Sequence, residues 1–242
     1  MTDARPVAVV TGAAGGIGSA IARRLGRSHD VVLWDVGGPG LDAAVRAVEP
    51  AGATADVVDV TDRDAVLRGM ARVEREHGRL DVLVNAAGMA QIIPFLELPE
   101  AGWDRMLDVN LKSVFLCTQA AVPIMAANGF GRVVSLASVG AYSGSVGHAH
   151  YAASKAGIIG FTKTLAREVG PLGITVNCVA PGAIETPMLG ALTSEARERY
   201  SANPVGRLGT PDEIAAAVEY FVSPDAGYTT GWVLSVNGGV YT

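Results

Sequence analysis

Short apolar runs alternate along the chain with longer stretches in which apolar residues recur every three or four positions. The longer stretches have the spacing of amphipathic helices, as at Ile21, Ala22 and Leu25. The short runs are rich in valine, leucine and isoleucine, which is typical of parallel strands covered on both faces. Six or seven strands alternating with helices predict a doubly wound parallel sheet in a single α/β domain covering residues 1–242. The predicted strands lie at residues 7–10, 31–34, 54–58, 82–84, 132–137, 174–179 and 232–236.

Local signals predict where several helices begin and end. Thr61 and Asp62 start a helix that runs to about residue 77, where Gly78 ends it. Thr210 and Glu213 form a capping-box pattern with a proline directly after the threonine. We also expect helices at residues 41–48, 103–127 and 151–169, a glycine- and serine-rich loop at 139–150, and a small amphipathic lid at about 187–205.

The composition narrows the class of protein. The hydrophobic content of 49% and the mean hydropathy of +0.30 are high for a soluble chain. No uninterrupted apolar run reaches the roughly 18 residues of a membrane-spanning helix, so buried strands and a subunit interface explain the apolarity better. The first six residues are polar, which argues against a secretory signal and favours the cytoplasm. Cys117 and Cys178 lie in apolar surroundings and are expected to be buried free thiols.

The charge balance argues against one class of partner. The net charge is −5, and no basic cluster occurs along the chain. A protein that binds nucleic acid needs a basic surface. We therefore do not expect nucleic acid as a partner, and the lack of a long apolar run argues against a membrane.

A glycine-rich turn follows the first predicted strand. Gly12, Gly16 and Gly18 lie between that strand and the first helix, in a variant of the dinucleotide-binding fingerprint. Glycine permits positive φ and close backbone approach, and the free N–H groups of a helix start bind a pyrophosphate. The order strand, turn, helix favours a dinucleotide site; the alternative is a tight turn without a ligand.

Asp35 ends the second predicted strand, 19 residues after Gly16. An acidic residue at this place binds the adenosine ribose hydroxyls in dinucleotide folds. Its carboxylate would repel a 2′-phosphate, and neither Ala14 nor residues 36–41 offer an Arg or Lys to that phosphate. The pattern favours NAD(H) over NADP(H), although Asp35 could also simply begin a polar turn.

Tyr151 and Lys155 are four residues apart in a predicted helix, so they lie on one face about one turn apart. A tyrosine hydroxyl has an unperturbed pKa of about 10, and a nearby cation lowers that pKa toward the range useful for proton transfer. Ser138 ends the fifth strand and therefore faces the same crevice at the carboxyl edge of the sheet. The spacing by itself is also compatible with an ordinary half-exposed helix face.

Two asparagines lie in informative places. Asn110 stands inside an apolar stretch, where a buried amide must be tied to backbone or hold a placed water. Asn85 begins a run of small residues that ends at Gly88. That run either lets the backbone lie against a cofactor or forms a plain turn between strand and helix.

Together these motifs resemble the short-chain dehydrogenase/reductase family over essentially the whole chain. The resemblance implies a Rossmann-like domain with seven parallel strands flanked by helices, and a nicotinamide cofactor. It also implies a homotetramer packed partly through the helices that carry Asn110 and Tyr151. The motifs that occur in the family's order and spacing are Thr11-Gly12-x-x-x-Gly16-x-Gly18, Asn85-Ala86-Ala87-Gly88, Asn110, Ser138, Tyr151-x-x-x-Lys155 and Pro181-Gly182.

The same resemblance implies a role for each site residue. Tyr151 is the general acid in ketone reduction and the base in alcohol oxidation, and Lys155 lowers its pKa and binds the nicotinamide ribose. Ser138 hydrogen-bonds the substrate oxygen, and Asn110 positions a water that passes protons through Lys155 to solvent. The implied cofactor contacts are Gly12, Gly16, Ile17, Gly18, Asp35, Asp59, Val60, Asn85, Gly88, Tyr151, Lys155, Pro181, Gly182, Ile184 and Thr186.

The resemblance implies an acyl-thioester or small-molecule substrate, and two enzyme functions fit it. Residues 151–177 and 204–211 look most like 3-oxoacyl-(acyl-carrier-protein) reductases. An acidic carrier protein should meet basic residues near the pocket mouth, yet residues 126–130 and 170–173 contain none. This absence and Asp35 keep open an NAD-dependent dehydrogenase of a small polyol, sugar, hydroxy acid or steroid. A non-catalytic NAD-sensing or scaffold protein would have no need of the complete catalytic set.

The remaining site residues are less specific. His148 and His150 precede Tyr151, and because no Cys or carboxylate cluster accompanies them we expect loop histidines at the pocket rim and no metal site. Glu185 is expected to be an exposed carboxylate beside the lid. Asn237 precedes two glycines where relatives often have Asp, which puts a local turn contact in doubt. The expected substrate contacts are Ser138, Tyr151, Gln91, Tyr142, His148, Met188 and Leu192.

Overall fold

The structure, a computed structural model, describes residues 5–48, 52–187, 189 and 193–242. It contains one sheet whose neighbouring strands are all parallel. The strands are β1 (Val7–Thr11), β2 (Asp30–Asp35), β3 (Ala53–Val57), β4 (Val82–Asn85), β5 (Gly131–Leu136), β6 (Ile174–Pro181) and β7 (Val233–Val236). Their order is β3-β2-β1-β4-β5-β6-β7, which confirms the predicted seven-stranded, doubly wound sheet.

Helices cover both faces of this sheet. They are α1 (Gly16–Leu25), α2 (Pro39–Ala47), α3 (Arg63–His77), α4 (Glu100–Leu107), α5 (Ser113–Asn128), α6 (Gly140–Ser143), α7 (Ala149–Val169), α8 (Ser194–Ser201) and α9 (Pro211–Val222). Successive side chains of a strand point to opposite faces. In β1, Ala8 and Val10 join a core with α1, α2 and α9, whereas Val7 and Val9 join a second core with α3, α5 and α7. The two cores make the sheet fully buried at its centre.

The local signals for helix ends are confirmed. Asp62 caps α3 by accepting a hydrogen bond from Asp64 N at 2.9 Å, and Gly78 ends it with φ of 69°. Thr210 and Glu213 form a complete capping box at the start of α9. Short 3₁₀ turns at Phe95–Glu97, Gly170–Leu172 and Pro224–Ala226 complete the connections.

The helix predicted at residues 103–127 is interrupted. A π-helical turn, Asp108–Lys112, separates α4 from α5 and carries the fully buried Asn110. Such a turn inserts a residue into the helical ladder and often marks a functional site. By length and composition Glu100–Asn128 could span a membrane, but half of its apolar window is buried within this fold.

The segment before Tyr151 also differs from the prediction. Residues 139–150 do not form one loop, because Gly140–Ser143 is a helical turn and α7 begins at Ala149. The early start of α7 places His150 inside the helix. Part of the predicted lid forms α8, whereas Met188 and Leu192 lie outside the described residues.

Candidate functional site

The glycine-rich turn packs closely against the loop that follows β4. Gly12 has φ of 65°, and a Cβ added there would lie 2.6 Å from the Ala87 backbone. A Cβ on Gly18 would collide with the Gly12 carbonyl oxygen. These two positions therefore require glycine, which holds the carboxyl ends of β1 and β4 together at the topological switch point.

Thr11 ties the same two elements together. Its hydroxyl oxygen accepts hydrogen bonds from Ala86 N at 3.1 Å and Ala87 N at 3.2 Å, and it donates to Val84 O at 3.5 Å. The sequence pattern included Thr11 in the motif without giving it a role. In the structure it fixes the backbone of the loop that forms one wall of the crevice.

Asp35 lies at the end of β2 beside the glycine-rich turn. Its carboxylate accepts hydrogen bonds from Ala14 N at 2.9 Å and Val36 N at 2.8 Å. Asp35 forms no ion pair with any described residue. Among the described residues it therefore has no cationic partner, and it lies at the place where a ribose would lie in a dinucleotide fold.

The other residues expected on the adenosine side have mixed placements. Asp59 is exposed after β3 and accepts hydrogen bonds from Thr61, which hold its pKa below the usual value, while Val60 is buried. The Asn85 side chain is buried and donates to Thr118 Oγ1 at 3.2 Å and Ser135 Oγ at 3.1 Å. Its amide thus links β4 to the core, and any cofactor contact from Asn85 is left to its backbone.

Ser138, Tyr151 and Lys155 meet at the carboxyl edge of the sheet. Burial raises the pKa of the Tyr151 hydroxyl, and a hydrogen bond with the Ser138 side chain lowers it. Ser138 Oγ also accepts a hydrogen bond from Gly140 N at 3.1 Å. The Tyr151 pKa is raised overall, and Lys155 is not among the groups that lower it, contrary to the prediction.

Lys155 is buried behind the tyrosine. Its Nζ lies 5.8 Å from the Tyr151 ring centroid and donates a hydrogen bond to Leu136 O at 2.8 Å. Burial lowers the Lys155 pKa from 10.5 to about 8. The side chain is therefore a cation held in place by backbone near neutral pH.

Asn110 is held from several directions. Its amide exchanges two hydrogen bonds with the Met89 backbone, at 2.8 Å and 3.0 Å, and donates to Ser154 Oγ at 3.1 Å. Ser154 Oγ in turn donates to Tyr151 O at 2.7 Å. Asn110 thus links the π-helical turn to α7 and to the loop after β4. This is the structural tie to backbone that the sequence predicted as one of two possibilities for a buried asparagine.

A cavity of about 460 Å³ is lined by Ser138, Tyr151 and Lys155. Among the predicted cofactor contacts, its lining includes Ile17, Gly88, Tyr151, Lys155, Pro181, Gly182, Ile184 and Thr186. The other predicted contacts, Gly12, Gly16, Gly18, Asp35, Asp59, Val60 and Asn85, are not among its lining residues. The cavity therefore corresponds to the nicotinamide and substrate end of the predicted site.

The predicted substrate contacts are only partly brought together. Ser138, Tyr151 and His148 line the cavity, and the His148 ring packs edge-on against the Tyr151 ring at 5.8 Å. Gln91 is exposed, and neither it nor Tyr142 lines the cavity. Their side chains lie at or beyond the rim, which the sequence could not distinguish from the pocket itself.

His150 is not a loop histidine at the rim. It is fully buried in the first turn of α7, and neither ring nitrogen has a hydrogen-bond partner among the described residues. Burial and the neighbouring His148 lower its pKa. The prediction was wrong because α7 starts two residues earlier than expected, which turns this side chain to the inner helix face together with Ser154.

The chain end forms a wall of the cavity that the sequence did not reveal. Val240 lines the cavity, and the Tyr241 ring stacks on Tyr142 with centroids 4.9 Å apart. Asn237 holds this segment by accepting from Gly239 N at 2.8 Å and donating to Tyr241 O at 2.9 Å. The turn contact that the asparagine put in doubt is therefore present.

The lid contributes further residues that sequence reasoning missed. Arg199, Tyr200 and Ala202 line the cavity from α8 and the residue after it. Glu185 is exposed as expected but forms an ion pair with Arg197 of the same helix. No local motif marks these positions, because only the folded chain brings α8 over the carboxyl edge of the sheet.

Cys117 and Cys178 are both buried and free, as predicted. Within the described ranges, no group of three His, Cys, Asp or Glu side chains could hold a metal ion.

Comparisons with known proteins cover almost the whole chain. A family model described as enoyl-(acyl carrier protein) reductase matches residues 12–241. The 3-oxoacyl-(acyl-carrier-protein) reductase FabG of Thermotoga maritima is 41% identical over 238 residues, covering 97% of each chain. The short-chain reductase protein NovJ of Streptomyces niveus is 41% identical over 244 residues, covering 96% of this chain and 93% of NovJ.

A solved structure has the same fold. A single-residue variant of the actinorhodin polyketide ketoreductase, crystallised with NADPH, superimposes with a TM-score of 0.92 at 38% sequence identity, and the match covers 98% of each chain. The similarity thus extends over the sheet, the helices and the carboxyl edge where the cavity lies.

Proposed function

The chain belongs to the short-chain dehydrogenase/reductase family, and from this premise we propose that it reduces the 3-oxo group of an acyl thioester with NADH. It is an NAD(P)-dependent oxidoreductase of the 3-oxoacyl-(acyl-carrier-protein) reductase type. The observation that carries the proposal is the convergence of Ser138, Tyr151 and Lys155 on one cavity at the carboxyl edge of the sheet.

Tyr151 and Ser138 act on the carbonyl oxygen of the substrate. In reduction the Tyr151 hydroxyl donates its proton to that oxygen, and in alcohol oxidation the same residue accepts the proton. Ser138 Oγ accepts from Gly140 N and is hydrogen-bonded to the Tyr151 hydroxyl, so the two hydroxyl groups lie together, and Ser138 would turn its O–H to a substrate oxygen bound between them. This hydrogen bond stabilises the charge that develops there. A nicotinamide bound in the cavity supplies the hydride.

Lys155 and Asn110 help to replace the proton that Tyr151 donates to the substrate. The Lys155 ammonium favours the phenolate that remains after proton transfer. Gly88 lies beside both residues, since a Cβ there would be 3.3 Å from Asn110 Oδ1 and 3.5 Å from Lys155 Nζ. We propose that a water near Asn110 returns a proton to Tyr151 through Lys155.

The residues around the turn fit a dinucleotide. A Cβ added to Gly16 would lie 3.1 Å from Thr186 Cγ2 and 3.2 Å from Pro187 Cδ. Gly16 thus keeps open a narrow gap between the start of α1 and the segment that leads into the lid. Gly12, Gly16 and Gly18 would hold the pyrophosphate, and Ile184 and Thr186 the nicotinamide carboxamide.

Tyr151→Phe tests the mechanism because it removes only the hydroxyl group. We expect reduction of an acetoacetyl thioester, followed by nicotinamide absorbance, to fall by about 10²- to 10⁴-fold. NADH binding, followed by fluorescence, should be retained. The matched control is Tyr228→Phe at an exposed tyrosine, which should keep wild-type turnover. Turnover that survives in Tyr151→Phe would show the proposed mechanism to be wrong.

We further propose NAD(H) as the cofactor because the Asp35 carboxylate has no cationic partner among the described residues. Like charges a few ångströms apart repel by up to about 4 kcal/mol at an effective dielectric of about 20, so we expect at least tenfold higher kcat/KM with NADH than with NADPH. Asp35→Asn should shrink this ratio, whereas the exposed control Asp42→Asn should not. A wild-type preference for NADPH, the cofactor in the solved ketoreductase, would refute the role of Asp35.

An NAD-dependent secondary-alcohol dehydrogenase is the second candidate. Asp35 favours it, as does the absence of basic residues at 126–130 and 170–173. Arg132 does not replace them, since it is buried with its guanidinium 4.3 Å from the Phe130 ring centroid. If the enzyme binds NADH but reduces no thioester, it should be assayed with NAD on a panel of polyols, sugars, hydroxy acids and steroids. Oxidation of any of these would favour the second candidate.

The remaining features of the proposal concern the whole chain. We infer a single catalytic domain over residues 1–242 with a lid at about 187–205, a cytoplasmic location, and a homotetramer. The family match over residues 12–241 supports one domain. Fractionation of the producing cells tests the location, and the tetramer is tested below.

A further inference from the structure

Arg199 is a positive charge on the cavity that the proposed mechanism does not use. It lies in α8, exposed to solvent, and lines the cavity that holds Tyr151. Its guanidinium carbon lies 5.4 Å from the Tyr200 ring centroid, and it joins no ion pair among the described residues, although Glu195 and Glu198 lie on the same helix. Arg199 is therefore free to bind a ligand.

The charge around Arg199 is unusual for this protein. The whole chain has a net charge of −5, yet no Asp or Glu occurs among the described residues that line the cavity. The lining contains one other lysine or arginine, Lys155, and that ammonium is buried and bound to Leu136 O. An anionic ligand that enters this cavity would meet positive charge and no carboxylate.

The orientation of Arg199 is fixed by the opposite side of α8. Residues two apart in a helix point about 200° apart, so Arg197 and Arg199 face in nearly opposite directions. Arg197 pairs with Glu185, and with Ser201 it lines a separate cavity. This anchoring turns Arg199 and Ala202 toward the main cavity.

Arg199 lies on the substrate side rather than the dinucleotide side. The chain just after α8 contacts the carboxyl-terminal segment: Val205 N donates to Gly238 O at 3.3 Å, and a Cβ on Gly239 would lie 2.9 Å from Pro204. The glycine-rich turn instead faces Thr186 and Pro187, at the start of the lid. The two ends of the lid therefore cover different parts of the site.

We propose that Arg199 binds an oxyanion of the substrate and so selects negatively charged substrates. The inference rests on the proposed reduction of a carbonyl and names its substrate class. The oxyanion is either a phosphate on the carrier arm of an acyl thioester or the carboxylate of a free 3-oxo acid. A planar guanidinium suits both groups because it forms paired hydrogen bonds with their oxygens.

The test compares three substrates at saturating NADH: acetoacetyl-CoA, which carries phosphates; acetoacetate, which carries a carboxylate; and acetoacetyl-N-acetylcysteamine, a neutral thioester. The measured quantity is kcat/KM for the favoured anion divided by kcat/KM for the neutral thioester. In Arg199→Gln we expect this ratio to fall about tenfold, mainly because the KM for the anion rises. Arg199→Lys should recover part of the loss. The control Arg27→Gln, an exposed arginine just after α1, should keep the wild-type ratio.

The outcomes separate the two sources and the two hypotheses. A loss confined to acetoacetyl-CoA identifies a phosphate, and a loss confined to acetoacetate identifies a carboxylate. An unchanged ratio for both, or a rise only in the KM for NADH, overturns the role of Arg199. Calorimetry measures the binding of acetoacetyl-CoA and acetoacetate to the NADH complex without turnover. Weaker binding by Arg199→Gln than by wild type supports the anion site. If the wild-type enzyme binds these ligands but reduces none of the substrates, the proposed function is overturned and the anion site is not.

Discussion

Lys155 shows how one residue of the site reduces the stability of the fold. The side chain is 6% exposed, and burial lowers its pKa from 10.5 to about 8. Because the folded pKa lies below the unfolded one, the native state is at a disadvantage when the lysine is protonated. This disadvantage is complete below about pH 8 and disappears as the pH rises above the unfolded pKa.

Lys155→Met should therefore stabilise the protein and inactivate it. A pKa lowered from 10.5 to about 8 corresponds to about 3 kcal/mol at pH 7 as an upper value, because the hydrogen bond to Leu136 O is lost as well. A gain of this size would raise Tm by several degrees. The check is thermal unfolding at pH 7 and pH 10, where the gain should shrink at the higher pH.

The exposed Lys163 provides the control for this prediction. Lys163→Met should change neither Tm nor its pH dependence, and it should leave turnover at the wild-type level. A Lys155→Met protein less stable than wild type at pH 7 would show that the ammonium is well compensated in the native state. The sequence motif identified Lys155, but only its burial in the fold gives this thermodynamic consequence.

At the scale of elements, the carboxyl-terminal segment connects a turn to the substrate cavity. Asn237 accepts from Gly239 N and donates to Tyr241 O, and Tyr241 stacks on Tyr142 of α6. A Cβ on Gly182 would lie 2.8 Å from Asn237 Cα, so the end of β6 packs directly on the same turn. The position of Val240 on the cavity wall depends on these contacts.

Asn237→Asp should loosen this segment. The aspartate keeps the acceptor for Gly239 N but replaces the donor to Tyr241 with a second carboxylate oxygen, which repels the Tyr241 carbonyl. We expect about 1 kcal/mol lower stability and a several-fold higher KM for the acyl substrate, with the KM for NADH unchanged. Steady-state kinetics with a urea unfolding curve checks both effects.

Asn128→Asp makes the same chemical change at an exposed helix end and is the control. It should leave both KM values at wild-type levels, and any loss of stability should stay within the roughly 0.3–1 kcal/mol that a carboxylate at the carboxyl end of a helix costs. Equal KM values in Asn237→Asp and wild type would mean that the segment does not shape the cavity. Such long-range dependence of a cavity wall on a terminal turn is a property of elements in contact, not of a local motif.

At the scale of the whole molecule, the sheet ends at β7 with exposed aromatic residues. Tyr220 is 51% exposed and Trp232 is 61% exposed near this edge. Large exposed apolar side chains next to an open sheet edge are typical of an interface. They support the proposed tetramer, whose other contacts we expect through the helices that carry Asn110 and Tyr151.

The tetramer predicts a mass of about 100 kDa in light scattering, four times the 24.9 kDa chain. Trp232→Glu should break the contact at the β7 edge and leave a dimer of about 50 kDa, because a buried unpaired charge is strongly unfavourable. Leu67→Glu changes an exposed apolar residue of α3 and should leave the mass unchanged. A wild-type mass of about 25 kDa would contradict the tetramer.

The sequence by itself determined the parallel sheet with alternating helices, the glycine-rich turn and the helical spacing of Tyr151 and Lys155, whereas the roles of Asn110 and Ser138 came from its resemblance to a known family. These features depend on interactions that are short in sequence: apolar periodicity, the φ that Gly12 requires, and the spacing of a helical turn. Residue types at fixed spacing therefore suffice to find them. The comparisons confirmed the family to which they pointed.

Only the tertiary structure decided the features that depend on contacts between distant segments. It turned His150 into the core, engaged the Asn85 amide with Thr118 and Ser135, and placed Arg199 and Val240 on the cavity. It also interrupted the Asn110 helix with a π-helical turn. No periodicity encodes which side chain a neighbouring element will cover, because that depends on the packing of the complete fold.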